Sequence, residues 1–152
     1  MLVREKYILI IHIMEPITVS VFVEAPRETV WEYWTTPVHI MEWNHASDDW
    51  HCPAATNELE ADGKFSYTMA ANDGSVSFDF SGTHTDVIDH ELIESTVDDG
   101  RKMSVVFEEE NGGTKITEPF DPEEENPVEM QQAGWQAILE NFKLYVESQM
   151  QL

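Results

Sequence analysis

A long helical segment near the carboxyl end constrains the fold more than any other feature of this sequence. Residues 128–149 contain no proline, and apolar side chains recur along them close to helical spacing: Met130, Ile138, Phe142 and Val146, with Trp135 and Leu139 beside them. Asn126 is predicted to cap this helix and Pro127 to open it. A helix of roughly 20 residues spans about 30 Å, and so wide an apolar face must pack against a large partner.

The rest of the chain predicts an antiparallel β-sheet as that partner. Apolar residues alternate with more polar ones over residues 17–23, which indicates a half-buried strand. Two short helices are predicted next, at about residues 26–34 and 37–43. Five further strands, separated by turns, are predicted at residues 64–71, 76–88, 92–97, 103–109 and 115–120. Residues 44–57 are predicted to form an irregular loop. The pattern predicts an α+β fold in which six or seven strands curve around the final helix.

Charge and cysteine content exclude several classes of partner and indicate a compartment. The 30 acidic and 8 basic residues give a formal charge of −22, which repels nucleic acid and anionic membranes. The apolar run at residues 7–14 is far shorter than the roughly 20 residues of a membrane helix. Residues 1–14 are therefore predicted to be an amino-terminal extension, and residues 15–152 a single domain without membrane insertion. Cys52 is the one cysteine, which favours a reducing, cytoplasmic location.

Several short segments resemble one superfamily when they are taken in order. The segments are Val23-Glu24-Ala25-Pro26 with Val30-Trp31, Thr36-Pro37 with Trp43, Gly63-Lys64-Phe65, Gly82-Thr83, Asp99-Gly100-Arg101, Gly113-Thr114-Lys115, Gly134-Trp135-Gln136, Leu139 and Asn141-Phe142. They resemble the START-like helix-grip superfamily (SRPBCC, with a Bet v-like fold), in the branch similar to the activator of the heat-shock chaperone ATPase. Asp62 departs from the pattern, because many relatives have a second glycine there. The resemblance implies a pocket between the sheet and the carboxy-terminal helix.

Bulky side chains are predicted to line this pocket, which favours an apolar or amphipathic small molecule as the ligand. The predicted ligand-binding residues are Trp31, Trp34, Trp43, Trp50, Phe65, Tyr67, Phe78, Phe80, His84, Trp135, Ile138 and Phe142. His84 is included because it shares a strand face with Phe78 and Phe80 by even spacing. Neither a cofactor nor a metal ion is predicted, and the sequence leaves a homodimer open.

Whether the protein is an enzyme stays undecided on sequence alone. The segment from Asn44 to Pro53 concentrates groups capable of acid–base chemistry, so His51, Asp48, Asp49 and His84 are the weak catalytic candidates. Its histidines, acids and single thiol match no known zinc spacing. The alternatives to simple ligand binding are therefore an enzyme of the cyclase or hydrolase type that uses the same pocket, or a chaperone-associated interaction module.

Overall fold

The computed structural model describes residues 15–151 and places seven strands and three helices in that range. The strands are β1 (Ile17–Val23), β2 (Trp50–Asn57), β3 (Lys64–Ala71), β4 (Ser77–Ile88), β5 (Leu92–Val97), β6 (Lys102–Glu110) and β7 (Gly113–Phe120). The helices are α1 (Arg27–Thr35), α2 (Pro37–Trp43) and α3 (Val128–Met150). The predicted extension at residues 1–14 lies outside the described residues.

All seven strands belong to one antiparallel sheet that curls into a half-barrel. Its order is β1-β7-β6-β5-β4-β3-β2, so β2 to β7 form a continuous meander and β1 pairs with β7. The helices α1 and α2 connect the two outermost strands, and α3 packs against the inner face. The predicted α+β helix-grip fold, with two short helices after the first strand, is confirmed.

The prediction of an irregular loop over residues 44–57 is wrong, because its second half is strand β2. Pro53 argues against a central strand in this segment, since proline lacks the N–H that such a strand must donate. β2 lies at the edge of the sheet, and its register with β3 shifts between His51 and Ala54. Edge strands and bulges are the places where a sheet accepts proline, so Pro53 is compatible with this strand.

The predicted beginning of α3 is also wrong in its details. Pro127 occupies the capping position, and no side chain caps the helix. Asn126 instead donates from Nδ2 to Glu123 Oε1 at 2.8 Å. The amide of Gln131 folds back, donating from Nε2 to the Asn126 carbonyl at 2.8 Å and accepting at Oε1 from the Glu123 N–H at 2.9 Å.

The buried stripe of α3 differs from the predicted one at its first position. Met130 is 60% exposed, whereas Gln131 is only 8% exposed. Gln131 precedes Phe142 by eleven residues, which is close to three full turns and places both on one face. Leu139, Phe142 and Val146 are fully buried on that face, as the spacing predicts.

Polar side chains of α3 also cover the free edge of β1. Lys143 Nζ donates to the Phe22 carbonyl at 2.6 Å, and Gln136 Nε2 donates to the Ser20 carbonyl at 2.9 Å. The Glu24 N–H donates to Glu147 Oε2 at 2.9 Å. An uncovered edge strand is a template for aggregation, so these contacts both hold α3 in place and protect the sheet.

Candidate functional site

The inner face of the sheet and the helices enclose a cavity of about 190 Å³. Successive strands supply its walls from alternate positions, because side chains along a strand point to opposite faces. The lining residues are Trp34, Trp43, Asn44, Asn57, Phe65, Tyr67, Met69, Phe78, Phe80, His84, Ile93, Ser95, Met103, Val105, Glu118, Trp135 and Ile138. Phe78 is 51% exposed, so the cavity reaches the protein surface beside it.

Three of the residues predicted to bind the ligand do not line this cavity. Trp31 is buried with its ring edge-on to Phe107, the two centroids lying 5.2 Å apart. Phe142 is fully buried behind Trp34 and Trp43, so it supports the wall from outside. Trp50 packs edge-on against Phe78 at 6.0 Å near the mouth. The other nine predicted residues all lie on the cavity wall.

Aromatic stacking holds two parts of the wall. The Trp135 ring of α3 stacks on Phe120 with centroids 3.7 Å apart, and it meets Phe80 edge-on at 5.9 Å. On the opposite side, Trp34 stacks on Trp43 with centroids 4.7 Å apart. Such pairs add to the stabilisation that burial alone provides. They fix the shape of the cavity independently of any molecule inside it.

His84 is the polar centre of one wall, and its hydrogen bonds are satisfied. Its Nε2 lies 2.7 Å from Asn57 Oδ1, and its Nδ1 lies 2.9 Å from Ser95 Oγ. Asn57 is oriented by its Nδ2, which donates to the Thr35 carbonyl at 2.8 Å. Because an amide oxygen only accepts, Nε2 carries the proton and Nδ1 accepts from Ser95. Burial lowers the pKa of His84, so the ring is neutral.

The remaining catalytic candidates lie outside the cavity wall. His51 is exposed, and its Nδ1 lies 2.6 Å from Oδ1 of Asn72. Asn72 also donates from Nδ2 to the Asp48 carbonyl at 2.7 Å and from its backbone N–H to the Asp49 carbonyl at 2.8 Å. These contacts tie the turn before β2 to the β3–β4 hairpin. These hydrogen bonds therefore give His51, Asp48 and Asp49 a structural role that does not require catalysis.

Cys52 points to the opposite side of β2 from His51 and is 2% exposed. Its Sγ lies 3.4 Å from the Ala54 carbonyl, and burial raises the pKa of the thiol. A thiol that stays protonated is a poor nucleophile.

The sequence analysis missed Glu118, a carboxyl on the cavity wall that is 5% exposed. Burial raises its pKa to about 8. Burial also raises the pKa of Tyr67, with smaller contributions from Cys52 and Glu118. The spacing along β7 indicates this position. Glu118 lies two residues from both Ile116 and Phe120, so all three side chains share the inward-facing side of the strand.

Residues 15–151 contain no group of three or more His, Cys, Asp or Glu side chains placed to hold a metal ion. In the same part of the chain, no helix combines the length and apolar character needed to cross a membrane.

Comparison with known proteins assigns the family. Residues 24–147 match the family model described as activator of Hsp90 ATPase homolog 1-like protein. The chain belongs to this family. No curated protein sequence matches it.

Solved structures of AHSA1-like and other proteins share the fold. An AHSA1-like protein from Aeromonas hydrophila is 44% identical, with 88% of this chain and 92% of that chain covered and a TM-score of 0.82. A protein from Cytophaga hutchinsonii is 54% identical over 90% of this chain and 94% of its own, with a TM-score of 0.77. A protein from Nitrosomonas europaea, at 15% identity, covers 91% of this chain and 97% of its own with a TM-score of 0.77, which shows the fold alone.

Proposed function

We propose that this protein binds a small apolar or amphipathic molecule in the cavity between the sheet and α3. The observation that supports this most directly is a cavity of about 190 Å³ whose walls are mainly aromatic and aliphatic. Apolar clefts with a few polar groups are typical small-molecule sites. An apolar cavity of about 150 Å³ accommodates benzene, so a ligand built on one substituted ring fits this volume. AHSA1-like folds often bind hydrophobic ligands.

The proposal is tested by filling the cavity. Val105 lies on its wall, whereas the neighbouring Val106 points to the other face of β6. Val105→Phe adds a ring inside the cavity, and Val106→Phe adds the same ring outside it. Titration with ethylbenzene, followed by amide chemical shifts, should show saturable binding to the wild type and to Val106→Phe. Binding to Val105→Phe should be at least tenfold weaker.

Native mass spectrometry of the protein purified from its own host then searches for the natural ligand. A bound small molecule on the wild type and on Val106→Phe, but not on Val105→Phe, supports the proposal. If neither ethylbenzene nor its ketone analogue acetophenone binds the wild type, or if ethylbenzene binds all three proteins equally, the proposal is contradicted.

A second candidate function, an interaction module for a chaperone, comes from the family description. One structural observation favours it: Val38 and Leu144 are apolar residues on the helices with exposures of 64% and 66%. Stimulation of the ATPase of a purified Hsp90 tests it. Loss of that stimulation in Val38→Glu and Leu144→Glu would support the module, and no stimulation by the wild type would dismiss it.

The enzyme alternative has less support from the site. His84 is neutral, and both of its ring nitrogens are engaged by Ser95 and Asn57. With His51, Asp48 and Asp49 outside the wall, Glu118 is the one carboxyl group among the described residues that line this cavity.

A further inference from the structure

Two polar side chains on the cavity wall have no hydrogen-bond partner among residues 15–151. Glu118 is 5% exposed, and neither of its carboxyl oxygens makes a hydrogen bond with another group of residues 15–151. The Tyr67 hydroxyl, on β3, likewise has no hydrogen-bond partner in that range. Both residues line the same cavity, and charge on Glu118 makes a small contribution to the raised pKa of Tyr67. Glu118 is buried and Tyr67 is partly buried, and a polar group on a cavity wall that lacks a protein partner can be satisfied by a molecule inside the cavity.

The surroundings keep the Glu118 carboxyl protonated. No lysine or arginine is among the described residues that line the cavity, so no cation compensates an ionised carboxylate there. An isolated buried carboxylate is so unfavourable that the group neutralises instead. The other titratable groups on the cavity wall are Tyr67 and His84, and neither is cationic. At neutral pH the cavity therefore presents two O–H donors, one from a phenol and one from a carboxylic acid.

We propose that Tyr67 and Glu118 together bind a carbonyl oxygen of the ligand, so that the cavity selects an apolar ketone over the corresponding hydrocarbon. The inference rests on the proposed function and names the ligand class. A carbonyl oxygen has two lone pairs and accepts both O–H groups, which satisfies the two unpartnered side chains at once. A phenol beside a neutral carboxylic acid is a known way to hold such an oxygen in an apolar site.

Two other ligand classes fit this wall less well. An anionic ligand would meet a chain with a formal charge of −22 and no cation on the cavity wall. An amine would have to form an ion pair with Glu118 in the interior, where the loss of hydration often exceeds the Coulomb attraction. Of these three classes, only the ketone leaves every group uncharged.

The test compares acetophenone with ethylbenzene, which has the same skeleton without the oxygen. The quantity measured is the ratio of their dissociation constants in each variant. Tyr67→Phe and Glu118→Leu each remove one donor, and each should shift the ratio toward ethylbenzene by about 3- to 10-fold. Glu118→Gln keeps an N–H donor and is the matched control, so it should retain most of the preference.

Dependence on pH separates the acid from its amide replacement. In the wild type the preference for acetophenone should fall above about pH 8, where Glu118 loses its proton. In Glu118→Gln it should stay constant over the same range. An infrared measurement can be made on the wild type alone, so it does not depend on whether a variant folds. The carbonyl stretch of bound acetophenone should lie at lower frequency than in an apolar solvent, because hydrogen bonds weaken the C=O bond.

The outcomes distinguish this inference from the proposed function. The inference would be overturned if ethylbenzene binds, neither Tyr67→Phe nor Glu118→Leu changes the ratio of the two dissociation constants, and the carbonyl stretch is unshifted. The cavity proposal would then stay intact. If neither compound binds, the proposed function itself fails. Tighter binding of 1-phenylethylamine than of acetophenone, lost in Glu118→Gln, would also overturn the inference and assign an amine.

Discussion

A single carboxyl group makes the stability of this protein depend on pH in an unusual direction. Acids that are paired or hydrogen-bonded in the folded state usually have a lowered pKa, so the fold loses stability as the pH falls. Glu118 behaves in the opposite way, because burial raises its pKa from 4.5 to about 8. The folded state holds this proton more tightly than the unfolded state does. The contribution of Glu118 is therefore greatest below about pH 4.5, decreases as the pH rises, and levels off above about pH 8.

This dependence predicts a difference between the wild type and Glu118→Gln. Between pH 5 and 8 the free energy of unfolding of the wild type should fall, relative to that of the variant, by about 1.4 kcal/mol per pH unit at most. Urea unfolding of both proteins at pH 5, 6, 7 and 8 measures it. Parallel stability curves across this range would mean that Glu118 is ionised in the folded state.

Spacing along strands located some of the cavity residues from sequence but not all. The even spacing of Phe78, Phe80 and His84 placed all three on one face, and the structure puts them on the cavity wall. The same reasoning was not applied to Glu118, because an acid in a chain with 30 acidic residues is normally on the surface. His51 was singled out because groups capable of acid–base chemistry cluster around it in sequence, and in the structure its hydrogen-bond partner is Asn72 of the β3–β4 hairpin.

At the scale of elements, glycines in a strand and in a helix meet different surroundings. A Cβ on Gly82 in β4 would overlap the Thr96 carbonyl oxygen and the Phe65 ring. Gly82 thus lets Phe65 lie flat over the strand, where it stacks on His84 with centroids 5.0 Å apart. A Cβ on Gly134 in α3 would meet nothing within 4 Å.

Alanine at these two positions should have opposite effects. Gly82→Ala should lower the free energy of unfolding by about 1–3 kcal/mol, because a packed wall must move. Gly134→Ala should raise it by about 0.5–1 kcal/mol, since alanine loses less backbone entropy in a helix. Chemical denaturation of the two variants beside the wild type measures both changes. A Gly82→Ala protein as stable as the wild type would show that Phe65 is free to move aside.

Periodicity predicted most elements of this fold, but the predictions were wrong for β2 and for the start of α3. The strand at residues 92–97 and the body of α3 follow from spacing alone, because burial on one face repeats at a fixed period. β2 was missed since Pro53 is acceptable only at an edge, and edge position depends on how distant strands pair. The cap of α3 was misplaced because the Asn126 side chain donates to the Glu123 carboxylate and does not cap the helix.

For the molecule as a whole, the dominant feature is its excess of negative charge. With 30 acidic and 8 basic residues, most carboxylates have no cation available to pair with. The closest lysine–glutamate pair in the described range joins Lys143 and Glu147 at 2.7 Å. Accumulated charge of one sign destabilises a compact state through self-repulsion, and dissolved salt screens that repulsion.

Salt should therefore stabilise this protein. At pH 7, raising NaCl from 10 to 500 mM should increase the free energy of unfolding by on the order of 1 kcal/mol. Thermal unfolding monitored by circular dichroism measures the effect. The control is the same titration near the isoelectric point of about 4.3, where the response should be much smaller. An equal response at both pH values would attribute it to something other than net charge.

The half-exposed ring of Phe78 has a kinetic consequence. Because the cavity meets solvent beside a side chain, a guest can pass when that ring rotates, and neither the sheet nor α3 has to open. Exposed side chains change rotamer within picoseconds to nanoseconds, whereas helices shift over microseconds or longer. Residence times in this protein should then follow the strength of the contacts inside, so weakly held guests come and go quickly while the fold stays closed.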